Sequence, residues 1–150
     1  MVNIDDLKKL REETGAGIAD IRQSLEESGG DLEKAKEFLK KKGLDKAAKK
    51  LERKVKAGLV EVYSHAGRVG VAVEVLCETD FVAKTKDFKN LAHELALQIA
   101  SMEPKNEKEL LSQEYIRDGS VTVNQLIQGV IGKLGENIKV GKFARIELGE

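Results

Sequence analysis

Residues 69–77 read VGVAVEVLC, and this stretch decides the fold class. Every second residue is apolar and strand-forming, so one face of an extended chain would carry Val69, Val71, Val73, Val75 and Cys77. The alternation predicts a strand with one well-buried face. Residues 59–64 also alternate, and the turn-like HAGR at residues 65–68 separates the two stretches. Together they predict an antiparallel hairpin.

The residues after this hairpin carry helical patterns and then one more strand. Apolar side chains recur at three- and four-residue steps over 88–99 and 123–134, and residues 106–113 are compatible with a shorter helix. Residues 140–148 alternate weakly and predict a closing strand. We therefore predict an α+β domain over residues 58–150, of order β-β-α-α-β, with helices packed on one face of an antiparallel sheet.

Upstream of the hairpin, residues 1–44 predict a small domain of three short helices. TGAG at residues 14–17 interrupts the first helical pattern, and Gly29 and Gly30 end the second. Asp31 is a suitable N-cap for the third helix, which is predicted to end near Gly43.

A basic helical linker is predicted over residues 45–57. Residues 40–56 hold nine basic and two acidic side chains, a local charge of +7 (9 − 2); the whole chain has 26 of each, so the other residues sum to −7. A solvated linker is the simpler interpretation, because the segment lacks aromatic side chains that could stack on bases. The alternative is a protein that binds RNA or a ribosome-associated partner through this segment.

Several function classes lack the residues they need. HELAL at residues 93–97 has no second histidine for zinc, and GENIKVGKF at residues 135–143 has the wrong glycine spacing for a phosphate loop. We predict no cofactor and no metal. No apolar run is long enough to cross a membrane and the acidic N-terminus lacks a signal core, so we expect an intracellular, cytoplasmic protein.

The single cysteine leaves one enzymatic alternative open. Cys77 could act as a nucleophile only if its thiol were exposed. Because it continues the valine face of the predicted strand, a buried structural cysteine is the favoured interpretation. His65 and His93 have no spacing that links them to a nucleophile.

The corner that follows the apolar strand reads ETDFVA at residues 78–83. The pattern alone favours the interpretation that Asp80 caps the next turn and Phe81 fills the core. The other interpretation is that Phe81, one of only six aromatic residues, anchors a partner protein.

CETDFVA at residues 77–83 resembles the signature of the elongation factor Ts family, the guanine-nucleotide exchange factors for elongation factor Tu. Four further segments resemble family motifs in the same order: TGAG at 14–17, AAKK at 47–50, YSHAGRVGV at 63–71 and LGENI at 134–138. Residues 18–25 keep Asp20 and Leu25 but lack the cysteine and lysine usual in the family. The chain looks like a short form of this family.

The resemblance implies a fold, a partner and a mechanism. Residues 1–44 would form a three-helix domain of the ubiquitin-associated type. Asp80 and Phe81 would disturb the magnesium site of GDP-bound elongation factor Tu, so that GDP leaves and GTP rebinds. The resemblance also implies that three neighbouring residues shape this corner: Thr79, Val82 and Ala83.

Further expectations follow from the same resemblance. Additional contacts with elongation factor Tu would come from Thr14, Gly15, Ala16, Gly17, Ile18, Leu134 and Gly135. The factor would make and break no bonds, so it would not be an enzyme, and it would not bind nucleic acid directly. The open sheet of a short form leads us to expect a homodimer.

Overall fold

The computed structural model describes residues 2–150, so Met1, the first residue of the predicted 1–44 domain, lies outside the described residues. The N-terminal part consists of three helices, α1 (Ile4–Thr14), α2 (Ile18–Glu27) and α3 (Leu32–Lys50). They enclose a small apolar cluster centred on Leu10, Ile21 and Leu39. Asn3 caps α1 and Asp31 caps α3 through their side chains, which satisfies backbone N–H groups at the start of each helix.

The remainder contains five strands and four helices: β1 (Ala57–His65), β2 (Val69–Cys77), α4 (Asp80–Ala83), α5 (Lys86–Met102), α6 (Glu107–Ser112), β3 (Glu114–Tyr115), β4 (Asp118–Thr122), α7 (Val123–Leu134) and β5 (Ile138–Glu147). The predicted α+β class with an antiparallel sheet is confirmed. The order β-β-α-α-β was incomplete, because it omitted the one-turn helix α4, the short helix α6 and the β3–β4 hairpin.

The main sheet has the order β1-β2-β5, with both neighbouring pairs antiparallel. A register shift between Val73 and Val75 marks a bulge in the β2–β5 ladder. The inward residues of β2 are buried, as the period of two predicts, and Cys77 is among them. α5 packs against β1 and β2 on this face and contributes Phe88, Leu95 and Ile99 to the larger apolar core.

α3 is longer than the predicted third helix. It continues through residue 50 and so takes in the first half of the predicted 45–57 linker. Ala47 of α3 is fully buried in the larger core, and α3 packs along α7. The division into units at 1–44, 45–57 and 58–150 therefore stays a prediction, and α3 is the element that runs across its first boundary.

Among residues 2–150, none of the helices combines the length and the apolar character that a membrane span requires.

Candidate functional site

Phe81 is the most exposed large apolar residue of the described chain, with 87% of its surface accessible. It lies on α4, a single turn that starts directly after β2. Val82 and Ala83 turn inward and are buried, so the same turn directs Asp80 and Phe81 outward. Burying such a ring is worth about 1.5–3 kcal/mol. The interpretation of Phe81 as a core residue is therefore wrong, and its ring is available to a partner.

Thr79, rather than Asp80, caps the turn. The Thr79 hydroxyl accepts a hydrogen bond from the Val82 N–H at 3.4 Å. The same residue is held from the other side by Glu136. One carboxylate oxygen accepts from the Thr79 N–H at 2.9 Å, and the other accepts from the Thr79 hydroxyl at 2.7 Å.

A second glutamate makes the reverse connection. Glu78 Oε2 accepts from the Asn137 N–H at 2.8 Å, and Arg53 Nη1 lies 3.8 Å from the same oxygen. Each of two adjacent segments therefore sends a glutamate to the backbone of the other. Hydrogen bonds therefore join the corner at residues 78–83 to the turn that leads into β5.

Asn137 is fully buried beneath these hydrogen bonds. Its Nδ2 donates to the Leu51 carbonyl at 3.2 Å and to the Arg53 carbonyl at 2.8 Å, whereas its Oδ1 has no partner among the described residues. The side chain thus ties the end of the basic segment to the start of β5. Sequence reasoning missed the roles of Glu136 and Asn137, although both lie in the LGENI segment that carries the family resemblance.

Residues 14–18 form a separate feature, the connection between α1 and α2. Thr14 Oγ1 donates to the Leu10 carbonyl at 2.6 Å and accepts from the Ala16 N–H at 3.3 Å. Gly15 ends α1 in the left-handed conformation, Gly17 precedes α2, and Ile18 is 47% exposed. With α3 and α7 this loop lines a cavity of about 340 Å³.

Lys133 of α7 lies between this loop and α5. A methyl group on Gly15 would lie 2.7 Å from Lys133 Cγ, and Lys133 Nζ donates to Asp87 Oδ1 of α5 at 3.3 Å. Leu134 and Gly135, partly buried, end α7 next to the corner. Gly135 directly precedes Glu136, whose carboxylate binds Thr79, so these two residues are close in sequence to a contact with the corner. Among residues 2–150, no hydrogen bond or ion pair joins residues 14–18 directly to that corner.

Cys77 lies beneath the corner and is fully buried. Its Sγ donates to the Thr79 carbonyl at 3.2 Å, and burial raises the pKa of the thiol above its ordinary value. A raised pKa disfavours the thiolate, which is the nucleophilic form. The arrangement does not suit an enzyme that attacks through Cys77.

Part of the basic segment is neutralised within the chain. Lys42 and Lys46 both pair with Asp20, at 2.8 and 2.5 Å, and Arg53 approaches Glu78. The lysine pairs hold α3 against α2, and Arg53 holds the residues that follow α3 near the corner. The segment therefore has a structural role beside any role in binding an anionic partner.

Glu103, Glu147 and Glu150 form the one carboxylate group close enough to surround a cation within residues 2–150. Arg145 already lies among them, with ion pairs of 3.1, 3.0 and 4.0 Å. The guanidinium group therefore supplies the positive charge that this cluster needs.

Comparison with known proteins gives the family. A family model described as Elongation factor TS matches residues 78–150, which begin at the corner. Elongation factor Ts of Caldanaerobacter subterraneus subsp. tengcongensis is 42% identical, over 100% of this chain and 98% of the relative.

This chain belongs to the elongation factor Ts family. The proteins called elongation factor Ts in Herpetosiphon aurantiacus and Coprothermobacter proteolyticus are 40% and 44% identical, over 99% and 96% of this chain and 98% and 96% of their own lengths. The resemblance seen in the sequence motifs is thus confirmed, and the chain is a translation elongation factor by family.

The alignment with the first of these relatives also shows that this chain is the shorter of the two. It extends over 196 positions with the first of these relatives, and this chain has 150 residues, so at least 46 positions (196 − 150) have no counterpart in it. The family assignment therefore rests on the positions that the two chains share.

Proposed function

We propose that this protein is a guanine-nucleotide exchange factor that binds GDP-bound elongation factor Tu and promotes release of GDP. The observation that carries the proposal is the exposed Phe81 ring on a corner whose backbone is tied down on both sides. A preorganised apolar anchor loses little conformational freedom on binding. Family membership supports elongation factor Tu as the partner that receives it.

In this mechanism Phe81 enters an apolar pocket of the G domain, and Asp80 redirects hydrogen bonds near the magnesium ion that holds GDP. Thr79, Val82 and Ala83 shape the turn that presents them. The factor binds nucleotide-free elongation factor Tu more tightly than the nucleotide-bound form, and by linkage it weakens nucleotide affinity by the same factor. GTP then refills the site and displaces the factor, so no covalent bond changes.

A second contact in this proposal involves the loop at residues 14–18, and a third involves Leu134 and Gly135. Exposure of Ile18 supports the former, and proximity to the corner supports the latter. We also propose that residues 2–44 act as a domain of the ubiquitin-associated type, and that the factor acts in the cytoplasm.

The decisive experiment is stopped-flow release of fluorescent GDP from elongation factor Tu, with and without this protein. Phe81→Ala should lower the stimulated rate at least tenfold, an effect on the order of that of an interface hot spot. The melting temperature should stay unchanged because the ring is exposed. Ile4→Ala, which truncates another exposed apolar side chain, is the control and should leave the rate unchanged.

Absence of stimulation by the unaltered protein would refute the proposal, and so would full activity of Phe81→Ala. Salt separates it from the RNA-binding alternative. A contact centred on Phe81 should change little with ionic strength, whereas binding of RNA through residues 40–56 should weaken steeply.

We further propose that the factor forms a homodimer through the outer face of its sheet. α5 covers one face, but Val60, Val62 and Ile146 on the other face are 63–74% exposed. These residues lie on β1 and β5, on either side of the small Gly70 and Ala72 of β2. A second copy related by a two-fold axis would cover both patches at once.

Sedimentation equilibrium tests this arrangement. Val62→Lys should shift the protein toward the monomer, because it would place an ammonium group in the apolar contact. Ile4→Lys, exposed on the N-terminal helices, should leave the dimer intact. A monomer at every concentration of the unaltered protein would refute the proposal.

A further inference from the structure

Glu136 differs from the other residues around the corner because both oxygens of its carboxylate bind the same residue. Both of its oxygens accept from Thr79, one from the backbone N–H and one from the hydroxyl. The two residues are 57 positions apart in sequence. Both oxygens of this carboxylate are therefore directed at Thr79.

The corner needs an external support of this kind. α4 has four residues, and so short a helix has almost no stability of its own. Val82 and Ala83 attach it to the core from below. Its N-terminal end, where Asp80 and Phe81 begin, depends on the Thr79 cap and on whatever holds Thr79.

The hydrogen bonds form a relay from Glu136 into the turn. The Thr79 hydroxyl donates to Glu136 at 2.7 Å and accepts from the Val82 N–H at 3.4 Å. Donation to a carboxylate orients the hydroxyl so that its lone pairs face α4, and it polarises the oxygen toward accepting. The carboxylate thereby sets the position of the cap, and the cap sets the direction of the turn.

We propose that Glu136 is a positioning residue for nucleotide exchange: it fixes Thr79 and so holds Phe81 in the orientation in which the partner receives it. The proposal rests on the proposed function, and it assigns Glu136 a role distinct from the partner contact expected of the same turn. The neighbouring glutamate, Glu78, holds the Asn137 N–H and so supports the opposite segment.

A double-mutant cycle between Glu136→Ala and Phe81→Ala tests the proposal through GDP release from elongation factor Tu. Glu136→Ala alone should lower the maximal stimulated rate about tenfold, since the ring is no longer held in place. In the Phe81→Ala background it should lower the rate by a clearly smaller factor, about threefold or less, because only Asp80 then remains for it to position. Equal fold-losses in both backgrounds would overturn the proposal and would indicate a direct contact or a general loss of stability.

Two further variants separate positioning from simple destabilisation. Glu136→Gln keeps an oxygen for the Thr79 N–H and should retain most of the activity. Glu94→Ala is the matched control, because Glu94 also accepts two hydrogen bonds, from Tyr115 Oη and Arg117 Nε, at the β3–β4 hairpin rather than at the corner. It should lower the melting temperature without a comparable loss of exchange rate.

Amide hydrogen exchange of the isolated protein tests the structural half of the proposal without elongation factor Tu. Glu136→Ala should speed exchange of the Thr79 and Val82 N–H groups at least tenfold over amides of α7, and Glu136→Gln should largely restore protection. Unchanged protection at both amides would overturn the positioning role even if the protein proved to have another function. Conversely, lost protection together with an inactive unaltered protein would contradict only the proposed function.

Discussion

Gly43 of α3 and Gly132 of α7 meet backbone to backbone: a methyl group on Gly132 would lie 3.3 Å from Cα of Gly43 and 3.4 Å from its carbonyl oxygen. Helices approach this closely only where side chains are absent. Through this contact α3, which belongs to the N-terminal helices, packs on α7, the helix that leads into the turn with Glu136 and Asn137. The close approach of α3 and α7 at this point therefore depends on the absence of a side chain at Gly132, whereas a methyl group on Gly43 would meet nothing within 4 Å.

Gly132→Val should weaken this packing, because the added side chain meets backbone atoms that cannot move independently. We expect the free energy of unfolding to fall by about 1–3 kcal/mol, as for other overpacked contacts, measured by urea denaturation. Gly129→Ala is the control one turn earlier, where a methyl group meets nothing within 4 Å. It should be neutral or stabilising by up to ~1 kcal/mol because alanine favours the helix. Equal effects of the two variants would contradict the close contact.

Asn137→Ala should destabilise the protein more than an exposed substitution would. It removes both amide hydrogen bonds to the Leu51 and Arg53 carbonyls in a buried site, a loss of about 1–3 kcal/mol. Asn137→Asp should cost more, since a carboxylate there has no hydrogens for these carbonyls and lies near Glu78. Asn124→Ala, at an exposed position of α7, should stay within about 0.5 kcal/mol. Thermal and urea unfolding of all three variants provide the comparison.

Asp20 should make the stability of the protein depend on acid pH. Hydrogen bonds from Lys42 and then Lys46 hold the pKa of its carboxyl below the ordinary value of 3.8. A lowered pKa in the folded state stabilises the fold above the unfolded value, and this contribution is lost as the pH falls through 3.8 and below.

The measurement is the difference in unfolding free energy between the unaltered protein and Asp20→Asn across this pH range. At neutral pH we expect about 0.5–1 kcal/mol, typical of partly exposed ion pairs. The difference should shrink in acid. The control Asp45→Asn, at an exposed position of α3, should change the unfolding free energy at neutral pH by less than about 0.5 kcal/mol. A difference independent of pH would exclude an electrostatic origin.

Tyr115 should ionise at unusually alkaline pH. Burial, followed by its hydrogen bond to Glu94, raises the pKa of the phenol to about 12 from an ordinary value of 10.0. The neutral phenol therefore stabilises the fold below pH 10, and that contribution is lost as the pH rises toward 12. In a spectrophotometric titration, Tyr115→Phe should remove the absorbance step near pH 12, and Tyr63→Phe should retain it. Retention of the step in Tyr115→Phe would show that it belongs to another group.

Local patterns predicted most of the regular structure. The valine alternation of residues 69–77 gave the position of β2 to the residue, and the apolar stripes located α5 and α7 closely. The β3–β4 hairpin escaped prediction because its strands are short and mostly exposed. It is held by Gln98 of α5, a buried polar side chain that bonds the Glu114 carbonyl and the Ile116 N–H. No pattern within residues 114–122 predicts these hydrogen bonds with Gln98.

The candidate site likewise has features that the local sequence predicts and features that depend on packing. The sequence by itself determined the corner residues, including Asp80 and Phe81, and the family, because a motif is contiguous and its residues are read directly. Only the tertiary structure decided that Phe81 is exposed, that Glu136 holds Thr79, and that Asn137 binds the carbonyls of Leu51 and Arg53. These contacts join residues 57 to 86 positions apart. Periodicity and capping describe neighbours along the chain, whereas such contacts exist only after packing has brought distant segments together.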